Sequence, residues 1–358
     1  MRRSIKYLSL IIAIVVGMQI FAACSNDQSE AGTNGIRYDN FRTYVFFGVD
    51  SRAGEDWKND ESTGSEGAPS SDVIMLLSVN NDSKEAKIIS VYRDTMLDVA
   101  GDGSDLEKCN TAYRDSGPYG AIDMLEKNLD LHIDGYVSAN FMAVADAIDL
   151  LGGVTVNVED EETYEVVSDS KGLKNVVDTT NMYINEMNNI YHTDTPMLEH
   201  PGEQVLTGMQ AVAYSRVRYT QGSDRKRTLR QRNIVLLMAQ KLREADTETQ
   251  NNVLKEMYKK VDTDLAENEL LSIFDNIIGY DLGDLSGFPV FMSGYVSEEK
   301  GEMLIPCDLS SNVNELHMFL YDNNDYKPSK TVLKYSKLIE DETGLTADDA
   351  NEELNNDF

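Results

Sequence analysis

Two apolar, β-rich runs, VIMLLSV (73–79) and KIISVYR (87–93), are separated by only the seven residues NNDSKEA. So short a polar link favours an antiparallel hairpin, because a parallel pair needs a crossover of about a dozen residues or more. A turn centred on Asp82–Ser83 sets the register by counting alone: Asp72, just before the first strand, lies opposite Arg93, at the end of the second. A third run, TYVFFGVD (43–50), closes on an acid. Laid parallel to KIISVYR, it brings Asp50 to the same rim of the sheet. Two carboxylates and one guanidinium then meet there. Taken alone, the trio is also what a purely structural ion pair leaves in a sequence.

The rest of the chain alternates between the two periodicities. PYGAIDMLEKNL (118–129) has helical spacing, with Ile122, Leu125 and Leu129 on one face. GYVSANF reads as a short strand, MAVADAIDLLGGV as a helix stopped by Gly152 and Gly153, and VTVNVED as another strand. TGMQAVAYSRV reads as a short helix with Thr207 as its cap. Ser223 or Asp224 caps a long amphipathic helix to about Ala245, whose apolar side, IVLLMA, is expected to pack on the sheet. Residues 159–201 are polar, rich in Asn and acids, and without clear periodicity. A further strand is expected near FPVFMSGY. Strands alternating with helices around a hairpin predict an α/β fold, a three-layer sandwich with a central mixed β-sheet flanked by helices. The expected organisation is an export segment (1–24), a polar linker (25–41), a main domain (42–245), an extension packing on that domain (246–340) and an acidic disordered tail (341–358).

MRRSIK followed by seventeen largely apolar residues is an export signal. Two readings remain open. FAACS resembles a lipoprotein cleavage site, with Cys24 as the lipid-bearing residue; alternatively the run stays as a transmembrane anchor, short against the roughly 20 residues a span needs. Either leaves the remainder outside the cytoplasm, tethered to the membrane. The formal charge of -30 argues against general nucleic-acid binding, which needs a broad basic footprint. Cys109 and Cys307 are expected as free thiols. No Walker loop calls for a nucleotide cofactor, no Ser-His-Asp motif is present, and His132, His192, His200 and His317 fit no catalytic pattern.

Against that acidity stands RVRYTQGSDRKRTLRQR (216–232), which holds six of the fourteen arginines. Arg216 and Arg218 are two apart, so an extended stretch points both the same way. Arg227 and Gln231 are i and i+4 on one helix face, with Arg230 beside them. A solvated helix face is the bland alternative for a charge run. Arginine outnumbering lysine favours an anion site instead, because the planar guanidinium grips phosphate bidentately where Lys offers a point charge. Together, Asp50 and Asp72 as oxygen ligands for Mg²⁺ and the arginines as ligands for a diphosphate make a phosphoryl-transfer layout. Asp50, Asp72, Arg93 and Arg218 are the candidate catalytic residues.

FFGVDSR, SDVIMLLSVN, ISVYRDT, KCNTAYRDSGPYGAIDMLEKNL, LLGGVTVNV, LTGMQAVAYSRVR and DRKRTLRQ occur in that order over residues 42 to 243. The ordered set resembles the LytR–CpsA–Psr family of membrane-tethered, extracytoplasmic phosphotransferases. Such enzymes move glycopolymers from an undecaprenyl-pyrophosphate carrier onto peptidoglycan. The resemblance implies that Asp50 and Asp72 are the Mg²⁺-associated carboxylates. It also implies that Arg93, Arg216, Arg218, Arg227, Arg230 and Gln231 contact the pyrophosphate. Ser70 stands where the family usually has Arg, so one phosphate contact is expected either to be missing or to come from Arg52 or Arg114. The MAVADAIDLL helix and the sheet are expected to wall an apolar channel for the lipid. Two other uses of the same site are a polyprenyl-pyrophosphate hydrolase and a non-catalytic polyprenyl-phosphate-binding envelope sensor.

Overall fold

In a computed structural model of the chain, the described residues are 35–51, 68–162, 175–218, 223–279 and 281–351. The export segment, Cys24 and Arg52 lie outside them. No helix among the described residues is long and apolar enough to cross a membrane.

The hairpin forms as the counting requires. Strands β1 (Phe41–Val49), β2 (Ser71–Asn80) and β3 (Glu85–Val91) are successive antiparallel neighbours, with Leu76 opposite Ile89 and Met75 opposite Ser90. β1 also pairs in parallel with β6 (Gly135–Asn140). The short β9 (Asp262–Thr263) closes that edge, and β10 (Asp281–Phe288) lies parallel to β3 at the other. The six-stranded order is therefore β10-β3-β2-β1-β6-β9, a mixed sheet. Between the hairpin and β6 run a small ribbon, β4 (Met96–Asp98) with β5 (Leu106–Lys108), and helix α1 (Thr111–Leu129).

Period-2 alternation assigns the two faces. Val45, Phe47 and Val49 of β1 join Ile74, Leu76, Ile89 and Val91 in one buried cluster. It is covered by α1, α8 (Leu309–Tyr321) and α9 (Lys330–Thr343). Tyr44 and Leu77 point the opposite way, into a smaller cluster with Leu265, Leu270 and Ile273 at the start of α7 (Glu267–Gly279). Helices thus flank both faces. His317 of α8 is fully buried, its ring stacked on Tyr326 at 3.8 Å, and burial pushes its pKa down to about 4. It is a neutral core group, joined to Tyr38 and the Leu129 carbonyl by hydrogen bonds.

A second core lies beyond the sheet. Helix α2 (Phe141–Leu150), helix α3 (Val176–Tyr191), helix α4 (Gly208–Ser215) and the ribbon of β7 (Val154–Val158) with β8 (Gly202–Leu206) meet there. Gly208 makes the join tight: a Cβ on it would come within 1.9 Å of the Ala145 carbonyl oxygen. Helix α5 (Ser223–Glu244) buries Ile234 in this second core, not on the central sheet as its apolar side had suggested. Ala145 and Ile148 of α2 are core residues as well, so these two positions of the MAVADAIDLL helix pack against protein.

Three expectations about organisation change. The polar excursion 159–201 contains α3, whose Val176, Ile184 and Met187 are buried. The region expected to pack on the domain as an extension supplies β10 to the sheet itself, besides α6 (Thr247–Lys260), α7 and the hairpin of β11 (Met292–Ser297) with β12 (Gly301–Pro306). Part of the expected acidic tail is ordered: α9 runs through Thr343, Gly344 caps it in the left-handed conformation, and Ala347–Asp349 form a 3₁₀ turn. Asn351 donates its amide to the Met292 carbonyl. Cys109 and Cys307 are both free and buried.

Candidate active site

The strand ends that the hairpin brings together open onto a cavity of about 600 Å³. Its wall includes Asp50, Asp72, Arg93, Arg216, Arg218, Arg227 and Gln231. Four guanidinium groups thus surround two carboxylates in a chain of formal charge -30. Strand geometry explains the first half. Asp72 and Arg93 sit across the β2–β3 hairpin in the register of Leu76 with Ile89, and Arg93 Nη1 donates to Asp72 Oδ1 at 2.5 Å. Arg93 is steadied from the other side by Asp94 at 3.4 Å, itself 3.6 Å from Lys108. Asp50 follows β1 directly, and its amide donates to the Ser70 carbonyl at 3.3 Å.

The second half comes from the segment after α4. Arg218 Nη2 lies 3.9 Å from Asp72 Oδ2. Arg227, 2% exposed, reaches the cavity from α5 and acts on the same carboxylate. Burial works to raise the pKa of Asp72. Arg93, Arg227 and Arg218 outweigh it and hold the carboxyl below its ordinary value. The group is therefore a firm anion and a weak base.

Arg230, expected among the phosphate ligands, is not in the cavity wall. Its Nε donates to Glu159 Oε1 at 3.2 Å and its Nη1 to the Val217 carbonyl at 3.0 Å. It is a buried support behind the segment, because Val217 is the residue between the two cavity arginines 216 and 218. Arg114 pairs with its neighbour Asp115 at 2.7 Å and is likewise outside the wall, so it does not replace the arginine missing at Ser70. Ser70 itself lines the cavity.

Six wall residues were not anticipated: Ser51, Ala68, Pro69, Asn110, Phe141 and Tyr183. Asn110 follows β5 and precedes α1; its Oδ1 is buried without a hydrogen-bond partner among the described residues. Phe141 opens α2, and Tyr183 lies mid-way along α3. Nothing local in their sequence marks them, since each is an aromatic residue at an ordinary helical position. Tyr191, at the end of α3, donates to the Ser51 carbonyl at 3.3 Å and ties that helix to the cavity's edge.

The sequence and the fold that build this cavity are matched elsewhere. Residues 17–286 match the LytR_cpsA_psr family. The chain belongs to that family. An uncharacterized protein of Staphylococcus aureus is 24% identical over 95% of this chain and 83% of its own length. The Bacillus cereus polyisoprenyl-teichoic acid–peptidoglycan teichoic acid transferase TagU is 24% identical over 72% of each chain. Its Bacillus licheniformis namesake is 26% identical over 58% of this chain and 55% of its own. Among solved structures, Bacillus subtilis TagV has a TM-score of 0.59 at 21% identity, covering 82% of this chain and all of TagV. TagT bound to LIIa-WTA has a TM-score of 0.54 at 18% identity, covering 89% of this chain and 98% of TagT. These likenesses show that the α/β architecture, a mixed sheet between helices, is the LytR–CpsA–Psr fold.

Proposed function

We propose that this protein is an extracytoplasmic, Mg²⁺-dependent transferase that moves a glycopolymer from a polyprenyl-pyrophosphate carrier onto peptidoglycan. One observation carries the reading: four arginines and two carboxylates line one polar cavity of an otherwise strongly acidic protein. Membership of the family and the named activity of the TagU relatives support the glycopolymer and the acceptor.

The donor set suits a hard cation. Among the described residues no group of three or more His, Cys, Asp or Glu forms a self-sufficient cage. Mg²⁺ commonly uses only one or two carboxylates and completes its shell with substrate phosphates and water. Asp50 and Asp72 would hold it, and it would neutralise charge on the diphosphate oxygens. Arg93, Arg216, Arg218 and Arg227 grip the remaining oxygens through charge-assisted hydrogen bonds. Gln231 offers a neutral amide donor from the same helix face as Arg227. A sugar hydroxyl of the acceptor attacks the phosphorus bonded to the glycopolymer. The bond to the polyprenyl phosphate breaks, that phosphate leaves with the electron pair, and the hydroxyl proton ends on it. Positioning and charge neutralisation supply the acceleration. Asp72, held ionised by its arginines, serves as an anchor and not as the proton acceptor. Lipid on Cys24, or the export segment retained as an anchor, would tether the enzyme beside its lipid-borne substrate.

The test supplies polyprenyl-pyrophosphate-linked saccharide and peptidoglycan oligomers to the purified protein, with Mg²⁺ or with EDTA. Attachment of saccharide to peptidoglycan, lost in EDTA, is the expected result. Release of polyprenyl phosphate without attachment identifies a hydrolase, and tight binding without turnover identifies a sensor.

A further inference from the structure

Arg216 is held differently from the other cavity arginines. Its guanidinium carbon lies 4.9 Å from the ring centre of Phe141 and 4.7 Å from that of Tyr183. Both rings are buried and both belong to the cavity wall. Its Nη2 lies 3.6 Å from Glu186 Oε1, one helical turn beyond Tyr183 on α3. A guanidinium attracts ligands through N–H groups in its own plane, while its two faces stack on aromatic rings. Rings close to the guanidinium restrict its tilt, and a carboxylate at one edge restricts its rotation in the plane. Among the described residues the remaining edge is left for an anion.

Resting on the diphosphate reading of this cavity, we infer that Phe141, Tyr183 and Glu186 are positioning residues that pre-orient Arg216 as a fixed fork for one phosphate of the substrate. The polar excursion carrying α3 is therefore a working part of the site. A mobile arginine loses side-chain freedom each time it binds, and a clamped one has already lost it. The clamp accordingly strengthens phosphate binding and shortens the search for reactive geometry.

A double-mutant cycle on the full-length protein in detergent tests this, with inorganic pyrophosphate and Mg²⁺ as the calorimetric probe. Tyr183→Ala is expected to weaken pyrophosphate binding about five-fold in the wild-type background, the scale of the freedom one unclamped side chain would then lose on binding. In an Arg216→Ala background the same change should weaken it by less than about two-fold, since the clamp has nothing left to hold. Tyr183→Phe, which keeps the ring, should restore wild-type affinity. Equal effects of Tyr183→Ala in both backgrounds would make Tyr183 an ordinary packing residue and overturn the inference. So would unchanged binding in a Tyr183→Ala protein that remains folded by circular dichroism. The probe reports on the clamp even if the wild-type protein transfers no glycopolymer, so failure of the transferase reading is seen separately.

Discussion

Arg227 and Arg230 stand three residues apart on one helix and are equally buried, each 2% exposed, yet they serve different regions of the molecule. Arg227 reaches the cavity and, with Arg93 and Arg218, keeps Asp72 ionised. Arg230 turns away from the cavity to another flank, where Glu159, the Tyr214 ring and the Val217 carbonyl occupy it. Lys226 follows it there, donating to Glu161 at 2.6 Å. One flank thus carries charge directed at a ligand, and the other carries charge that is neutralised within the protein. The lesson is that burial and residue type do not identify a binding arginine. What faces it does.

Replacing Arg227 should therefore have the largest effect on turnover. Removing a charge-assisted contact to phosphate is worth about 1.5–3 kcal/mol, so Arg227→Ala is expected to lower transfer by roughly ten- to a hundred-fold or more. Wild-type kcat/KM in this variant would contradict the placement of Arg227. Arg230→Ala should invert the pattern. It removes a donor from the Val217 carbonyl and the cation beside Glu159, which keeps the Tyr214 hydroxyl, so denaturant titration should show a loss of about 1–2 kcal/mol of stability. Turnover per folded molecule should fall far less than in Arg227→Ala; an equal fall with unchanged stability would make the two arginines alike.

Smaller effects sharpen the cavity side. Ser70→Arg adds a guanidinium to the wall and should tighten pyrophosphate binding about two- to ten-fold, read by calorimetry. Weaker binding would mean that Ser70 leaves space the ligand needs. The smallest effect is a pH dependence of stability. Asp72 has a folded pKa below its ordinary value. Its contribution is present above the unfolded pKa, about 3.9, and is lost as pH falls through the folded value, because the unfolded chain binds the proton first. Asp72→Asn should remove that component from the acid limb of an unfolding profile, leaving a shallower slope below about pH 4. An acid limb identical to wild type would show that the arginines do not act on this carboxylate.

Much of this site was open to reading from residue order. The Asp72–Arg93 pair followed from counting outward from Asp82–Ser83, because a tight hairpin has one register. Arg216 and Arg218, two apart, and Arg227 and Gln231, four apart, followed from backbone periodicity. Other parts were closed to such reading. Arg230 shares the run and nearly the phase of Arg227, and only Glu159 on the neighbouring β7–β8 side separates their roles. Phe141 and Tyr183 meet Arg216 across long stretches of chain, and no local pattern announces an aromatic clamp. The tail and the β10 strand were misjudged for a similar reason: their structure depends on docking against β3 and β11, not on their own composition.

The sequence by itself therefore determined the mixed sheet, the rim on which acids and arginines gather, and the family. The sheet and its rim rest on short-range rules: strand alternation, hairpin counting and helical phase; the family rests on the ordered motif blocks the chain shares with it. Only the tertiary structure decided which arginine faces the cavity, which one braces the segment from behind, and which aromatic rings hold Arg216. Those outcomes depend on partners supplied by distant segments, and a guanidinium binds whatever anion, ring or carbonyl the fold brings within reach.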